Sequence, residues 1–402
     1  MTISKREFIR LSGATAAAAA FGTAAATDGE SREVAAELQP ITGDAVPSSV
    51  DERLARVAKA QKLMTQWDID AILIEPGSAM LYFSGISWWR SERLTALVIP
   101  REGEIAVVTP YFEEPSVRES MTFGADVRTW HEHEDPFSRV AEVLRDRGVR
   151  RGRVGFESTV RYFAVEGLSR AAPDFEIVAA LPVTQGCRMY KSSAEIALMK
   201  KANEVTLRAY EHVYRSLDKG MRPADVKALM RDAQASLGGS GIWNMALFGP
   251  ASAYPHGTSI DQEIEDGQIV LMDCGCSVHG YQSDISRTLV YGAPSKRQRE
   301  DWNTVRKGQQ IAFEAAQPGS PAGKVDDAVR CYYESLGYGP DYATPGLSHR
   351  TGHGIGMDGH ESVNFVRGET APLRKGMCFS NEPGIYIFGE FGVRLEDCMY
   401  MT

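Results

Sequence analysis

The sequence predicts a mixed α/β (α+β) protein with two domains. Short strands alternate with helical segments in the first part, from Val50 to about residue 180. After Ser193, two long amphipathic helices precede segments in which Asp, His and Glu accompany short β-prone runs. A chain of 402 residues also exceeds the usual size of a single core, so the length favours two domains.

The composition is that of an ordinary globular protein, with 43% hydrophobic and 24% charged residues. The net charge of −9 provides no electrostatic reason to bind nucleic acid, and we expect no such partner. Six cysteines are too few for a disulfide framework in a chain of this length, so we expect them to be free.

Residues 1–26 have the features of an export signal. A positively charged segment, Ser4–Arg10, precedes an alanine-rich apolar segment and the small residues Ala24–Ala26. The first segment resembles a twin-arginine signal with Lys5 in place of the first arginine, and a disordered tail is the alternative. We therefore expect export to the periplasm. No later apolar run could span a bilayer, so we expect no stable membrane insertion after signal removal.

Residues 27–47 are interpreted as a polar linker and residues 48–182 as the first domain. Its predicted elements are helices from residue 50 and over 137–147, and strands at 71–74, 94–100, 105–109, 154–156 and 175–178. The segment His131–Glu134 superficially resembles a metal cluster, but an exposed loop is the preferred interpretation. The cluster Trp88–Arg90 is either a packed loop or part of a site in another subunit.

Residues 183–402 form the second predicted domain, in which two aspartates flank a β-hairpin. Apolar runs at 269–272 and 285–290 are the predicted strands. With the turn centred on Val278–His279, Asp273 and Asp284 lie opposite each other, their Cβ atoms about 5 Å apart. Carboxylates this close in apolar strands repel unless they share a proton or a cation. The sequence therefore predicts a shared divalent cation, with two surface aspartates as the alternative.

A glycine-rich segment, residues 348–361, carries three histidines: His349, His353 and His360. Four glycines let the backbone approach a ligand closely, and no lysine follows in the order that a phosphate loop requires. This segment is therefore a candidate source of imidazole ligands.

Two later segments supply carboxylates. Glu382 is predicted to end a strand before Pro383, and Arg394 and Glu396 are predicted on one face of another strand. Each segment alone is a weak signal. Together with the aspartates and one histidine, they suit a pair of hard or borderline divalent ions, Mn²⁺ first, with Zn²⁺, Co²⁺ or Fe²⁺ as alternatives.

In this order, five residues resemble the ligand set of the pita-bread (M24) metallopeptidases: Asp273, Asp284, His353, Glu382 and Glu396. The segments Asp-Cys-Gly, His-Arg-Thr-Gly-His-Gly-Ile-Gly and Asn-Glu-Pro-Gly-Ile-Tyr are most similar to the prolidase (Xaa-Pro dipeptidase) and aminopeptidase P branch. The resemblance extends from about residue 50 to the C-terminus. It implies an N-terminal creatinase-like α/β domain followed by a C-terminal pita-bread catalytic domain. Asp273 would bind one cation, His353 and Glu382 the other, and Asp284 and Glu396 both.

The resemblance also implies roles for residues near the cations. Three histidines would bind the substrate and stabilise the tetrahedral intermediate: His256, His349 and His360. Tyr386 and Arg394 would orient the ligands, and Glu382 would carry the proton. Members of the family usually form homodimers, and we expect Trp88 and Arg90 to reach the substrate site across that contact.

The implied function is hydrolysis of the bond before proline in Xaa-Pro dipeptides, through a hydroxide that bridges two metal ions. An aminopeptidase P acting on longer proline-containing peptides is one alternative. Another is a lyase of the same fold that carries a second acidic residue where this chain has Gly275, and a third is a binding module without catalysis. The resembling proteins continue beyond the last ligand strand, whereas this sequence stops at Thr402, so we expect a shortened final segment.

Overall fold

The structure is a computed structural model that describes residues 38–402. The predicted export signal, residues 1–26, and the first part of the predicted linker lie outside the described residues. Within them, none of the helices has the length and apolar character needed to cross a membrane.

The helices are α1 (Val50–Trp67), α2 (Ser78–Ser84), α3 (Glu114–Ser120), α4 (Pro136–Asp146), α5 (Tyr162–Ala171), α6 (Leu181–Arg188), α7 (Ser193–Ser216), α8 (Pro223–Ser236), α9 (Lys296–Ala315) and α10 (Gly323–Ser335). The first eight strands are β1 (Ala71–Ile74), β2 (Ala96–Pro100), β3 (Ala106–Pro110), β4 (Val127–Trp130), β5 (Gly152–Phe156), β6 (Phe175–Ala179), β7 (Ser240–Phe248) and β8 (Ile269–Val278). The others are β9 (Tyr281–Gln282), β10 (Ile285–Val290), β11 (Gly352–Gly354), β12 (Glu361–Phe365), β13 (Cys378–Asn381), β14 (Gly384–Ile387), β15 (Phe391–Arg394) and β16 (Asp397–Tyr400).

The first half of the chain builds one mixed sheet in the order β4-β3-β2-β1-β5-β6. β1 and β2 are antiparallel, as are β2 and β3, whereas β5 runs parallel to both β1 and β6. The central strands are fully buried, because helices cover the sheet, and their sequences are continuous apolar runs. The predicted α/β class and the predicted strands of this half are confirmed, apart from one or two residues at their ends.

The connection between the two halves is helical. α6 spans Leu181–Arg188, so the predicted boundary between residues 182 and 183 falls inside this helix and stays a prediction. A capping box then starts α7, because the Ser192 and Glu195 side chains each bond to the other's backbone N–H. The large buried apolar cluster contains side chains from both halves, such as Ile72 of β1 and Val205 of α7.

The second half places α7 directly behind the strands that carry the two aspartates. β8 pairs with β7 on one side and β10 on the other. The buried Tyr210 hydroxyl of α7 lies 3.0 Å from the Met272 carbonyl oxygen and 2.7 Å from that of Ile285. These carbonyls adjoin Asp273 and Asp284, so the helix holds the backbone of both aspartates against one core.

The predicted hairpin is confirmed, but its register differs from the prediction. Val278 pairs with Tyr281, so the turn consists of His279 and Gly280, both with positive φ (48° and 84°). Two positive φ values are required for the tight turn that matches strand twist, and glycine adopts one at no steric cost. The turn therefore lies one residue later than predicted, and Asp273 faces Ser286 rather than Asp284.

Both glutamates lie outside the strands in which they were predicted. Glu382 follows the last residue of β13, and Glu396 lies in the two-residue break between β15 and β16. Arg394 and Glu396 therefore do not share one regular strand. The break exists because β15 pairs with β14, whereas β16 crosses to β13 in the sheet β12-β11-β13-β16.

Gly275 of β8 occupies a position with no room for a side chain. A Cβ atom there would overlap the Ser283 carbonyl oxygen and lie 2.5 Å from Trp243 Nε1. Because backbone and an indole ring cannot move aside cheaply, an acidic side chain cannot be accommodated at this position without moving the hairpin. The arrangement argues against the lyase alternative, which needs an acidic residue there.

We expect Gly275→Ala to lower the free energy of unfolding by about 3 kcal/mol, since the added methyl group must displace the hairpin. Chemical denaturation followed by circular dichroism measures this change. Gly43→Ala is the matched control, because a Cβ at Gly43 meets nothing within 4 Å. Its effect should stay within about 0.5 kcal/mol. Equal effects of both substitutions would contradict the close packing described for Gly275.

Candidate metal centre

The structure brings all five predicted ligands together. Three overlapping groups have side-chain donor atoms within 4.8 Å of one another: Asp273, Asp284 and Glu396; His353, Glu382 and Glu396; and Asp284, His353 and His360. Glu396 belongs to the first two groups, so two neighbouring positions share its carboxylate. These side chains come from two different sheets and the loops between their strands.

The hairpin register places the two aspartates on one face. Asp273 faces Ser286, and Asp284 stands two residues before Ser286, so the aspartates are diagonal neighbours. Ser286 Oγ donates to Glu396 Oε2 at 2.8 Å and accepts from Arg394 Nε at the same distance. This hydroxyl therefore connects the hairpin to the segment that carries Arg394 and Glu396.

His353 presents one ring nitrogen to the carboxylates. Its Nδ1 lies 3.0 Å from the Gly354 carbonyl oxygen, which can only accept, so Nδ1 carries the proton. Nε2 then faces the cluster, 3.3 Å from Glu382 Oε1 and 3.7 Å from Asp284 Oδ2. A histidine held by a carbonyl in this way is oriented for metal binding.

The buried carboxyls disfavour ionisation in the absence of a cation. Burial, and then the charges of Asp273 and Glu382, raise the pKa of Asp284 well above its ordinary value. The pKa of Glu396 rises for the same reasons, through burial and the charge of Asp284. Burial raises the pKa of Glu382 to about 7, although Arg394 opposes that change. The charges of Arg394 and Arg350 both act on Glu382, but two arginines do not balance four carboxyl groups.

Two carboxylate oxygen atoms of the cluster are buried and accept no hydrogen bond from the described residues, which leaves them available to a cation. Among the described residues, Asp273 Oδ1 and Glu396 Oε1 are buried without a hydrogen-bond partner. Their second oxygens do have partners, Arg394 and Ser286. Buried polar atoms are normally satisfied, so unpartnered carboxylate oxygens beside an available imidazole nitrogen fit hard or borderline divalent ions.

Arg394 connects the cluster to a tyrosine and a histidine. Its Nη2 donates to Asp273 Oδ2 at 2.6 Å, and its Nη1 lies 3.3 Å from the Tyr386 hydroxyl. That hydroxyl lies 2.7 Å from His349 Nε2, and His349 Nδ1 lies 2.7 Å from the Arg350 carbonyl oxygen. Both nitrogens of His349 are thus engaged inside the protein, which leaves neither for the substrate that the sequence suggested. Burial, and then the charge of Arg394, lower the pKa of His349 to about 3.

The other two predicted histidines are exposed. His360 packs edge-on against His353, with ring centroids 4.0 Å apart. His256 follows Pro255, whose carbonyl oxygen accepts a hydrogen bond from Arg394. The charge of His256 is among the causes that lower the pKa of His360, after burial and the charge of Arg350. Both imidazoles therefore lie on the open side of the cluster.

A cavity of about 280 Å³ adjoins this open side, and residues of both halves line it. His360, Arg350 and Asn364 come from the second half, and Glu157 and Thr159 from the first. The cavity provides space next to a histidine that contacts a cluster residue.

Trp88 and Arg90 lie away from the cluster. Trp88 stacks on Trp89, and Arg90 donates to the Pro76 carbonyl oxygen and to Thr159 Oγ1. Thr159 lines the cavity, so Arg90 reaches its wall indirectly. A substrate contact of these two residues across a dimer stays a prediction.

Two polar residues of this site were not recognised in the sequence. Ser286 bridges Glu396 and Arg394, and the spacing Asp284-x-Ser286 was an available signal because both residues share one face. Arg350 stands between His349 and His353 in the glycine-rich segment and lines the cavity, and a charged residue among these histidines was the available signal.

The chain is similar to known proteins over most of its length. Residues 197–402 match the profile of metallopeptidase family M24, and residues 56–190 match the creatinase/prolidase N-terminal domain. A probable dipeptidase PepE of Mycobacterium tuberculosis is 33% identical, with 86% of this chain and 91% of the relative covered. An Xaa-Pro dipeptidase of Lactobacillus delbrueckii subsp. lactis is 30% identical, with 86% and 93% covered. The crystal structure of a prolidase from Thermococcus sibiricus has a TM-score of 0.81 at 28% identity, covering 88% of this chain and 95% of that chain.

The metal-free protein should lose stability as the pH rises. Glu382 has its pKa raised from 4.5 to about 7 in the folded protein, and Asp284 and Glu396 shift in the same direction. Between about pH 4.5 and about pH 7 the folded chain keeps protons that the unfolded chain has lost, so increasing pH favours unfolding. We expect the Tm of metal-free protein to be lower at about pH 8 than at about pH 5.5, and Mn²⁺ to raise it most at the higher pH.

Glu396→Gln is the matched comparison, because it removes one of the carboxyl groups with a raised pKa. Metal-free Glu396→Gln should depend less on pH in this window and should gain little stability from Mn²⁺. A Tm of metal-free wild type that is equal or higher at about pH 8 would contradict the carboxyl repulsion described above.

Proposed function

Because this chain belongs to metallopeptidase family M24, in its prolidase and aminopeptidase P branch, we propose that it hydrolyses Xaa-Pro dipeptides with two divalent cations. The observation that carries the proposal is the assembled set of five ligands with two unpartnered carboxylate oxygens. Creatinase-like enzymes and binding modules that lack these ligands do not account for such a cluster.

Five residues would hold the cations. Asp273, Asp284 and Glu396 form one group of donors, and His353, Glu382 and Glu396 form the other. When bound there, two divalent cations supply an activated water and a Lewis acid for the scissile carbonyl. The ligand types favour Mn²⁺, with Zn²⁺, Co²⁺ or Fe²⁺ as alternatives.

The residues around the cluster supply proton transfer and hydrogen bonds. Glu382, whose Oε1 accepts a hydrogen bond from Ser380, is assigned to carry the proton from water to the leaving proline nitrogen. His360 and His256 on the open side donate hydrogen bonds to the oxygen on which negative charge develops. Arg394 and Tyr386 hold Asp273 and His349 in place and do not contact the reacting atoms.

Arg350 favours a dipeptide over a longer peptide. It is half-buried in the wall of the cavity, and among the described residues its guanidinium donates one hydrogen bond, to Asn364 Oδ1 at 3.1 Å. A guanidinium with a single neutral partner has donors left for a carboxylate. The free carboxylate of an Xaa-Pro dipeptide fits this position, whereas a longer peptide has an amide there.

Two further parts of the proposal concern the protein in the cell. Residues 1–26 would direct export to the periplasm, by a signal similar to the twin-arginine type. The exported protein would act as a homodimer, with Trp88 and Arg90 near the contact. These parts are independent of the chemistry at the cluster.

The substrate class is tested with metal-stripped protein to which Mn²⁺ is restored. We expect cleavage of Ala-Pro and Leu-Pro, little cleavage of Ala-Ala, and weak cleavage of Ala-Pro amide and Ala-Pro-Ala. Arg350→Met should raise the KM for Ala-Pro by about 30-fold, the loss of one charged hydrogen-bonded contact, and leave Ala-Pro amide unaffected.

Arg367→Met is the control, because Arg367 pairs with Asp327 and Asp341. It should leave both substrates unchanged. Equal cleavage of Ala-Pro and Ala-Pro-Ala by wild type would identify an aminopeptidase P instead. Absence of hydrolysis in protein that holds two cations would remove the peptidase proposal.

A further inference from the structure

An ionic cluster, with Arg188, Lys191 and Glu361 largely buried and Asp358 half-exposed, joins the two halves of the chain beside the cavity. We name it the junction cluster; it consists of Ser78, Arg188, Lys191, Asp358 and Glu361. Arg188 Nη2 lies 2.8 Å from Asp358 Oδ2 and 2.6 Å from Glu361 Oε1, and its Nη1 donates to Ser78 Oγ at 3.1 Å. One guanidinium thus contacts the start of α2 in the first half and two acidic residues in the second.

Glu361 stabilises the preceding segment through hydrogen bonds to its backbone. Its Oε1 accepts hydrogen bonds from the backbone N–H groups of Met357 and Asp358, and its Oε2 accepts one from Lys191 Nζ at 2.8 Å. Although burial alone would raise the pKa of Glu361, Lys191 and Arg188 outweigh it and lower that pKa. The carboxylate therefore stays ionised and holds residues 356–361 in one conformation.

His360 lies between the two acidic residues of the junction cluster. It is exposed, and its ring packs edge-on against that of His353. No hydrogen bond to its ring is formed within the described residues. The orientation of the imidazole therefore depends on the backbone, which Asp358 and Glu361 anchor on either side.

We propose that Arg188 is a positioning residue that holds His360 against the metal centre through Asp358 and Glu361. The inference rests on the proposed function, in which His360 donates to the developing oxyanion. Arg188 ends α6, the helix that connects the halves, so this connection sets the geometry of His360. Gln185 of the same helix adds a hydrogen bond of 2.7 Å to Ser362 Oγ.

The guanidinium is needed for its shape as well as its charge. Arg188 reaches three oxygens, on Ser78, Asp358 and Glu361, with two nitrogens of a planar group. A lysine ammonium is a compact charge and cannot span the same set, so Arg188→Lys should restore only part of the function. Arg188→Met removes the guanidinium that pairs with the buried Glu361 carboxylate and the half-exposed Asp358 carboxylate, and should release the His360 segment.

A double-mutant cycle tests whether Arg188 acts through His360. In wild type, Arg188→Met should lower kcat for Ala-Pro by about 100-fold with a small change in KM, because a displaced donor is lost mainly in the transition state. In the His360→Ala background, the same substitution should change kcat by less than about threefold. Arg188→Lys should lie between these values and serves as the second variant if Arg188→Met does not fold.

Arg128→Met is the matched control, because Arg128 also binds two acidic residues, Asp126 and Asp146, at the β4 edge of the first sheet. It should leave kcat unchanged. Mn²⁺ stoichiometry from calorimetry should be the same in all these variants, since none replaces a metal ligand. A loss of kcat that is equal in both backgrounds would overturn the positioning role.

A readout without catalysis separates the two proposals. In protein with ¹³C-labelled histidine, the His360 resonance is assigned from its absence in His360→Ala. Arg188→Met should shift or broaden this resonance and leave those of His131 and His133 unchanged. If wild type hydrolyses no peptide, the proposed function fails and this spectrum alone decides the inference. An unmoved His360 resonance would overturn it.

Discussion

The repulsion between buried carboxyl groups governs the second half of this protein. Four of these groups surround one imidazole, and Arg394 forms an ion pair with one of them, Asp273. Burial raises the pKa values of Asp284, Glu382 and Glu396, so the fold disfavours the negative charge of these three groups without a cation. Two divalent ions would remove this conflict, because they add positive charge where carboxylate oxygens lack partners. The stability of the fold and the binding of cations are therefore linked at the carboxyl cluster.

The rest of the fold keeps these groups from relaxing apart. α7 bonds the backbone beside both aspartates through Tyr210, and Ser286 connects the hairpin to Glu396. The helix that connects the halves contributes through Arg188, and the first half contributes to the wall of the cavity. Each support connects residues far apart in sequence, so the centre exists only in the complete fold. In the same way, we propose that the junction cluster supports His360, which is not one of the five candidate ligands.

The sequence was sufficient to select the five candidate ligands that the fold brings together, but it did not identify the residues that hold them in place. The five-residue pattern and its motifs identified Asp273, Asp284, His353, Glu382 and Glu396, because each ligand stands in a distinctive local motif. The register was predicted one residue early, since a turn at His279–Gly280 depends on two positive φ values that residue types alone did not decide. Arg188 and Glu361 are 173 positions apart in the sequence, and no local sequence pattern predicts their contact. His349 was interpreted as a substrate group, although the fold uses both of its nitrogens internally.

The most direct test of the metal centre is a count of the cations and their positions. Crystals of the protein prepared with Mn²⁺ would be measured at the manganese absorption edge, and anomalous difference maps would locate the ions. We expect two peaks per chain, one between Asp273, Asp284 and Glu396 and one beside His353, Glu382 and Glu396. Maps without a peak among these five residues, from protein that is saturated with Mn²⁺, would contradict this expectation.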